Sequence, residues 1–414
     1  MAEPAGFPAR RAALRMLDAV LRRGDTLDTA AGATKGLPPS DAALARVIAA
    51  ETLRNMADLD ALIDAATRQR LPDDAKARTV LRMMLVQALR MDSAPHAIIA
   101  TCLPLLAGGP RRLAHGVFSA ILKQGKALPE APTLPDEVQA RWSQAWPDRV
   151  DAIAAGLASP PPLDITLRDA EQTEQWAGDL GAEVLASGQL RLPRGQAVES
   201  LPGFADGAWW VQDLAAALPA MLLGAGEGRR VLDLCAAPGG KTMQLAASGW
   251  QVMALDIAKR RLERLRQNLA RTALSAEVIC ADAFKWQPDT GFDAILLDAP
   301  CTATGTCRRH PDVLHRIGQR QIDELAELQT ALIAKATEWL NPGGVLVYAT
   351  CSLEPEEGER QAEAVTLAPD PVRADELPAG LQPTGEGWVR TDPGMMPERG
   401  GLDGFFIARF RKAG

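Results

Sequence analysis

Through the first 126 residues, apolar side chains recur at three- and four-residue intervals, the period of a helix that buries one face. Ala13, Leu14, Leu17, Val20 and Leu21 form the first such stripe, and similar stripes run through LARVIAAETLRNMADLDALIDAA, RTVLRMMLVQALRM and HAIIATCLPLLA. The intervening loops carry Pro and Gly, as in KGLPPSD, where Ser40 or Asp41 is expected to cap the next helix. No strand-like alternation interrupts the stretch, so residues 1–128 are expected to form an all-α bundle. Pro129, Pro132 and Pro135, then Pro160, Pro161 and Pro162, bracket a short helix holding Trp142 and Trp146. LDITLR, AEVLA and QLRLP then read as strands around one helix near Trp176. Residues 129–208 are accordingly a linker helix and a small α+β lobe.

From Trp209 the rhythm changes to strand, loop, helix, repeated. RRVLDLCA, WQVMALDI, AEVICAD, FDAILLDAP and VLVYATCS are apolar strands, and GFFIARFRK is another. TMQLAAS, AKRRLERLRQNLART and IDELAELQTALIAKATEWL are helices between them. Near-continuous apolar strands alternating with helices predict a parallel, doubly wound, Rossmann-like α/β sheet over residues 209–414. Such sheets bind ligands at the carboxyl ends of their strands, where strand order reverses.

A length of 414 residues exceeds one ordinary core, so the protein is multidomain. No apolar run approaches the roughly 20 residues of a membrane span, and the start lacks a signal-peptide apolar block. A cytoplasmic protein without a membrane partner is expected. The six cysteines show no CxxC spacing, so reduced thiols and no metal site are expected. The net charge of −7 is uneven: residues 1–128 carry +6 and the remainder −13. A positive module on an acidic one suits a phosphate-bearing partner, although solvated helix faces give the same count.

Chemistry gathers at the predicted strand ends. In LDLCAAPGGKT, Gly239 and Gly240 allow a tight turn and close approach of backbone to a ligand. Asp256 ends the second strand, where an acid can accept from ribose hydroxyls, and Asp282 ends the third, within reach of an adenine amino group. Either acid alone would be explained as a cap of its own loop. The GxGxxG and GxxxxGK[ST] spacings are missing, which favours an adenosine-bearing ligand without a pyrophosphate, S-adenosylmethionine. Cys301 and Cys351 each follow an apolar strand at the same edge, whereas Cys102, Cys235, Cys280 and Cys307 are assigned to structure, with Cys235 lining the turn through its backbone. A thiolate adding to carbon 6 of cytosine makes carbon 5 reactive. Asp298 stands where it can hold the base edge, and a protonated Asp298 in a buried pocket would donate to ring nitrogen 3.

LDLCAAPGGKT, LLDAPCTATGTCRRHPD, YATCS and DGFFIARF, in this order, resemble the bacterial Sun/RsmB family of rRNA cytosine-5 methyltransferases, and the N-terminal helices resemble a NusB-like RNA-binding bundle. The resemblance implies a class I methyltransferase domain that methylates carbon 5 of a cytidine in 16S rRNA before ribosome assembly is complete. It implies Cys351 as nucleophile, Cys301 as the group assisting enzyme release, and Lys241 as an orienting residue. Cys235, Ala236, Ala237, Pro238, Gly239, Gly240 and Lys241, with Asp256, Asp282 and Asp298, map to the cofactor site. Thr302 departs from the expected Ser but keeps the hydroxyl. The rivals are the same chemistry on tRNA and a non-catalytic assembly factor. A DNA enzyme would use the PC cysteine as nucleophile and is not expected.

Arg308, Arg309, His310, His315, Arg316 and Arg320 follow Cys301 closely and are candidate phosphate contacts. Arg111, Arg112, Lys123 and Lys126 would extend the track. The target base must be unpaired or flipped out, and a monomer is expected.

Overall fold

The stripes of the N-terminal third fold, in the computed structural model, into helices Phe7–Arg23, Pro39–Arg54, Met56–Ala65, Lys76–Leu89, Pro95–Cys102 and Gly108–Lys123. The structure describes residues 4–414. Their apolar faces converge on one core containing Leu17, Ile48, Leu53, Met84 and Phe118, each such side chain contributing about 1.5–3 kcal/mol by burial. Proline opens two of these helices at Pro39 and Pro95, where its missing N–H costs nothing. The helix after KGLPPSD therefore starts at Pro39, with Pro38 at the cap and no side-chain cap bond. The Ser40 or Asp41 cap expected from the sequence lies instead inside the first turn. The buried Arg78 is held by Asp60 at 2.9 Å and Asp64 at 2.6 Å.

The chain divides into two units. One holds residues up to Ser159 together with Cys307–Ile317; the other holds Pro160–Thr306 and Gly318–Gly414. The linker helices Asp136–Ala145 and Val150–Gly156 thus go with the helical unit. The segment 307–317 joins them although it lies far along the chain. Its Cys307, Val313 and Leu314 are buried. Arg54 donates to the Arg308 carbonyl at 2.9 Å, Leu27 N–H donates to Asp312 at 3.2 Å, and His315 Nε2 donates to the Leu53 carbonyl at 2.8 Å.

The second unit begins with a small antiparallel sheet. Its strands β1 (Leu163–Leu167), β2 (Glu183–Ala186), β3 (Gln189–Leu192) and β4 (Trp209–Val211) lie in the order β2-β3-β1-β4. The expected helix near Trp176 is Thr173–Leu180. The larger sheet is built from β5 (Arg230–Leu234), β6 (Gln251–Asp256), β7 (Glu277–Cys280), β8 (Phe292–Asp298), β9 (Leu340–Thr350), β10 (Ala368–Pro369), β11 (Val389–Thr391) and β12 (Phe405–Arg411). Its order is β10-β12-β9-β8-β5-β6-β7, with β11 on β12. Strands β5 to β9 are parallel, as expected. β12 runs antiparallel to β9, so the sheet is mixed at that edge. From β5 the chain moves outward to β6 and β7, then returns to β8 on the other side. That reversal places the ends of β5 and β8 side by side, with Leu234 opposite Leu297. No helix among the described residues is long and apolar enough to cross a membrane.

Candidate active site

The turn after β5 is shaped by its backbone. Cys235 adopts φ 68° and Gly239 φ 103°, the left-handed region that glycine enters most readily. A Cβ on Gly239 would also lie 2.7 Å from Leu265, whereas one on Gly240 would only touch Gln212 at 3.6 Å. The chain itself thus requires glycine at 239; Gly240 leaves room above the turn. The N–H groups of Cys235 and Ala236 donate to the Leu255 carbonyl at 2.9 and 3.1 Å, and the helix Gly240–Ala247 follows directly. Burial, reinforced by nearby carboxylates, pushes the Cys235 thiol far above its ordinary range. It stays protonated, consistent with a lining role.

Four aspartates surround this turn. Asp256, at the end of β6, accepts from Ala237 N–H at 3.1 Å, from Ala258 N–H at 2.7 Å and from Arg261 at 3.1 Å. It caps its own loop, as the simpler reading of this acid has it, and also ties down the glycine turn. Asp282 accepts from Phe284 N–H at 3.0 Å and remains partly exposed. Asp298, at the end of β8, pairs with Lys241 at 2.7 Å. Burial alone would lower Lys241, but the charge and hydrogen bond of Asp298 outweigh it and raise the pKa. The pair ties the first turn of the helix Gly240–Ala247 to the end of β8. The fourth acid, Asp233 within β5, was not singled out from the sequence. Its Oδ2 accepts from Thr242 at 2.5 Å, its buried Oδ1 has no partner, and burial raises its pKa to about 7. An acid in the middle of an apolar strand, as in VLDL, was the signal for it.

The cysteines meet. Asp298 of β8 is opposite Ala349 of β9, and the Sγ atoms of Cys301 and Cys351 just beyond lie 3.4 Å apart. The hydrogen bond with Cys351 and burial push the Cys301 thiol well above its ordinary value. The loops are stitched by Gly305 N–H donating to the Cys351 carbonyl at 3.0 Å and by Leu353 N–H donating to Thr304 Oγ1 at 3.0 Å. Gly305 sits so close to Gly404 that a Cβ would lie 2.0 Å from its carbonyl oxygen. Glu357, also missed from the sequence, is buried beneath both cysteines.

The basic residues divide. Arg308 is 1 % exposed and Arg316 is paired with Asp312 at 2.9 Å. Burial lowers the pKa of His315, leaving it neutral. Arg308 therefore packs inside the helical unit and offers a phosphate no surface, contrary to expectation, while the half-buried His315 spends its Nε2 on the Leu53 carbonyl. Arg309 and His310 are half-buried, and Arg320 is exposed. Arg111, Arg112, Lys123 and Lys126 are all exposed.

A doubly wound sheet with a glycine turn at its switch point and acids at the next strand ends defines a Rossmann-like methyltransferase of the S-adenosylmethionine-dependent class. The residues fit that cofactor: a Cβ at the half-buried Gly240 would meet nothing closer than Gln212 at 3.6 Å, and a cluster of carboxylates suits a sulfonium cation. Residues 220–411 match the family described as 16S rRNA methyltransferase RsmB/F, and residues 8–123 match the NusB family. The chain is 34% identical to a ribosomal RNA small subunit methyltransferase B of Klebsiella pneumoniae (strain 342), covering 97% of this chain and 98% of that one. It is 36% identical to the protein of the same description from Pseudomonas syringae pv. tomato, covering 82% of each. Among solved structures, a methyltransferase homolog protein from Pyrococcus horikoshii is 28% identical with a TM-score of 0.56, covering 66% of this chain and 93% of that one. The chain belongs to the RsmB/F family of 16S rRNA methyltransferases and carries a NusB-family domain.

Proposed function

We propose that this protein methylates carbon 5 of a cytidine in 16S rRNA through a covalent bond between Cys351 and the base. The observation that carries the reading is the pair of thiols, 3.4 Å apart at the ends of adjacent parallel strands, beside the Lys241–Asp298 pair. S-adenosylmethionine, held by residues 235–241 with Asp256, Asp282 and Asp298, supplies an electrophilic methyl group. Carbon 5 of cytosine is a poor nucleophile until sulfur adds to carbon 6. The sulfur of Cys351 forms that bond, and the ring electrons become available at carbon 5. With the methyl group on carbon 5, loss of that carbon's proton to water and expulsion of the Cys351 thiolate restore the ring. Cys301 keeps its proton and lies against that sulfur, where it can exchange a proton with the leaving thiolate. Asp298, paired with Lys241, holds the base edge. A stacked cytosine hides carbon 6, so the RNA must present the base unpaired or flipped out, before assembly encloses it.

Two variants test the assignment. Cys351→Ala is expected neither to methylate RNA nor to bond to it. Cys301→Ala is expected to accumulate a protein–RNA species that survives denaturing electrophoresis. Adduct in Cys351→Ala with none in Cys301→Ala would reverse the two roles.

A further inference from the structure

We propose that Glu357 is the positioning residue of the cysteine pair: its one carboxylate grips the residue after Cys301 and the residue after Cys351, and so sets the distance between the two sulfurs. Thr302 donates to Glu357 twice, from its backbone N–H to Oε1 at 2.9 Å and from its hydroxyl to Oε2. Ser352 donates its hydroxyl to Oε2 at 2.5 Å, and Gln329 donates to Oε1 at 3.0 Å. Each carboxylate oxygen therefore takes two donors, one from the Cys301 loop and a second from either the Cys351 loop or the long helix Gln319–Trp339. The carboxylate is buried, so each of these bonds is shielded from water and stronger for it. Gln329 donates also to the Pro300 carbonyl at 2.9 Å, which anchors the Cys301 loop on its other flank. The main chain of Glu357 is fixed in turn, its carbonyl accepting from Tyr348 at 2.6 Å and Thr350 at 3.2 Å on β9. A shorter or apolar side chain at 357 leaves buried donors unmatched on both loops at once. The two thiols then move independently.

The test reads the thiol distance directly. Diamide oxidises two neighbouring thiols to one disulfide and takes up their two hydrogens; the bridged 301–351 peptide is counted by mass spectrometry. Glu357→Leu keeps much of the volume but removes both acceptor oxygens, leaving Thr302 N–H, Gln329 and the two hydroxyls without their shared acceptor, and bridging is expected to slow at least tenfold. Methyl transfer should show the same loss in kcat, with dissociation constants for S-adenosylmethionine and RNA within twofold of the parent. A purely supporting residue would lower the melting temperature and leave the bridging rate of the folded protein unchanged; that result overturns the proposal. Should Glu357→Leu fail to fold, Ser352→Ala removes one of the four donors to Glu357, together with the acceptor of Glu354 N–H: bridging slowed at least threefold upholds the proposal and an unchanged rate overturns it. The catalytic meaning of the grip rests on the two-cysteine reading above. If the parent protein bridges its thiols but forms no adduct with RNA, that reading fails while the bridging rates still decide the role of Glu357.

Discussion

The two halves of the site are held by different means. The glycine turn owes most of its shape to backbone, the left-handed Cys235 and Gly239 and carbonyl bonds to β6, with Asp256, among the described residues, the one side chain accepting from its main chain. The cysteine pair owes its shape to side chains from distant positions, Glu357 reaching Thr302 across 55 positions and Ser352 across 5. The Cys301 loop also runs on into 307–317, which is packed in the helical unit. One buried acid beside the turn, Asp233, keeps an oxygen without a partner, whereas Glu357 fills every acceptor position. A locally built turn can bind its ligand alone. A pair built from remote parts can be disturbed from several directions.

The largest expected effect breaks the pair and spares the turn. Leu314→Asp places a charge in the buried packing of segment 307–317, a change costing several kcal/mol locally. The segment leaves the helical unit and drags on the chain that begins six positions after Cys301. Methyl transfer should fall at least tenfold while S-adenosylmethionine binding, followed by calorimetry, stays within twofold. Equal loss of both would show that the change unfolds more than the segment 307–317.

Gly239→Ala is the opposite experiment. The new Cβ meets Leu265 at 2.7 Å and the residue must hold φ 103°, together about 1–3 kcal/mol of strain. Cofactor affinity should drop by roughly five- to a hundredfold, with the rate of thiol bridging by diamide unchanged. Gly240→Ala lacks that strain, and any loss of affinity there reports the ligand.

Asp233 adds a pH dependence to the turn. Burial holds its pKa near 7, against 3.8 ordinarily. Between those values the folded chain keeps a proton that the unfolded chain has lost. Stability from this group is therefore full below the lower value and is lost as pH rises through 7, at up to about 1.4 kcal/mol per pH unit. Asp233→Asn should flatten the stability profile between pH 5 and pH 7 in urea melts without added cofactor. A parallel profile in parent and variant would place the titration elsewhere.

What was legible in the sequence follows the same division. The glycine turn, Asp256, Asp282 and the two cysteines each stand within a few positions of the end of an apolar strand, and the β–α rhythm located those ends. Glu357 was invisible because its partners Thr302 and Gln329 are remote in the chain. Arg308 misled because a run of basic residues looks the same whether it lies on a surface or, like Arg308, packs inside. The antiparallel direction of β12 is hidden from the sequence because an apolar run carries no direction.

The smallest expected effect lies outside both halves. Arg111 and Arg112 are exposed near the start of helix Gly108–Lys123, so their charges can meet phosphates without any change in packing. Every phosphate that is no longer neutralised should lessen the slope of log affinity against log salt by about 0.7–0.9. Arg111→Ala combined with Arg112→Ala should therefore weaken RNA binding severalfold at low salt and progressively less at high salt, leaving kcat, cofactor affinity and thiol bridging at parental values. Arg308→Ala should behave in the reverse way. Removing a buried guanidinium destabilises the helical unit, so its melting temperature falls while the salt slope of the folded protein holds. A reduced salt slope in Arg308→Ala, with none in the exposed pair, would mean that RNA draws the 307–317 segment out of the helical unit. The cysteine loop would then be re-formed on binding and not set in advance.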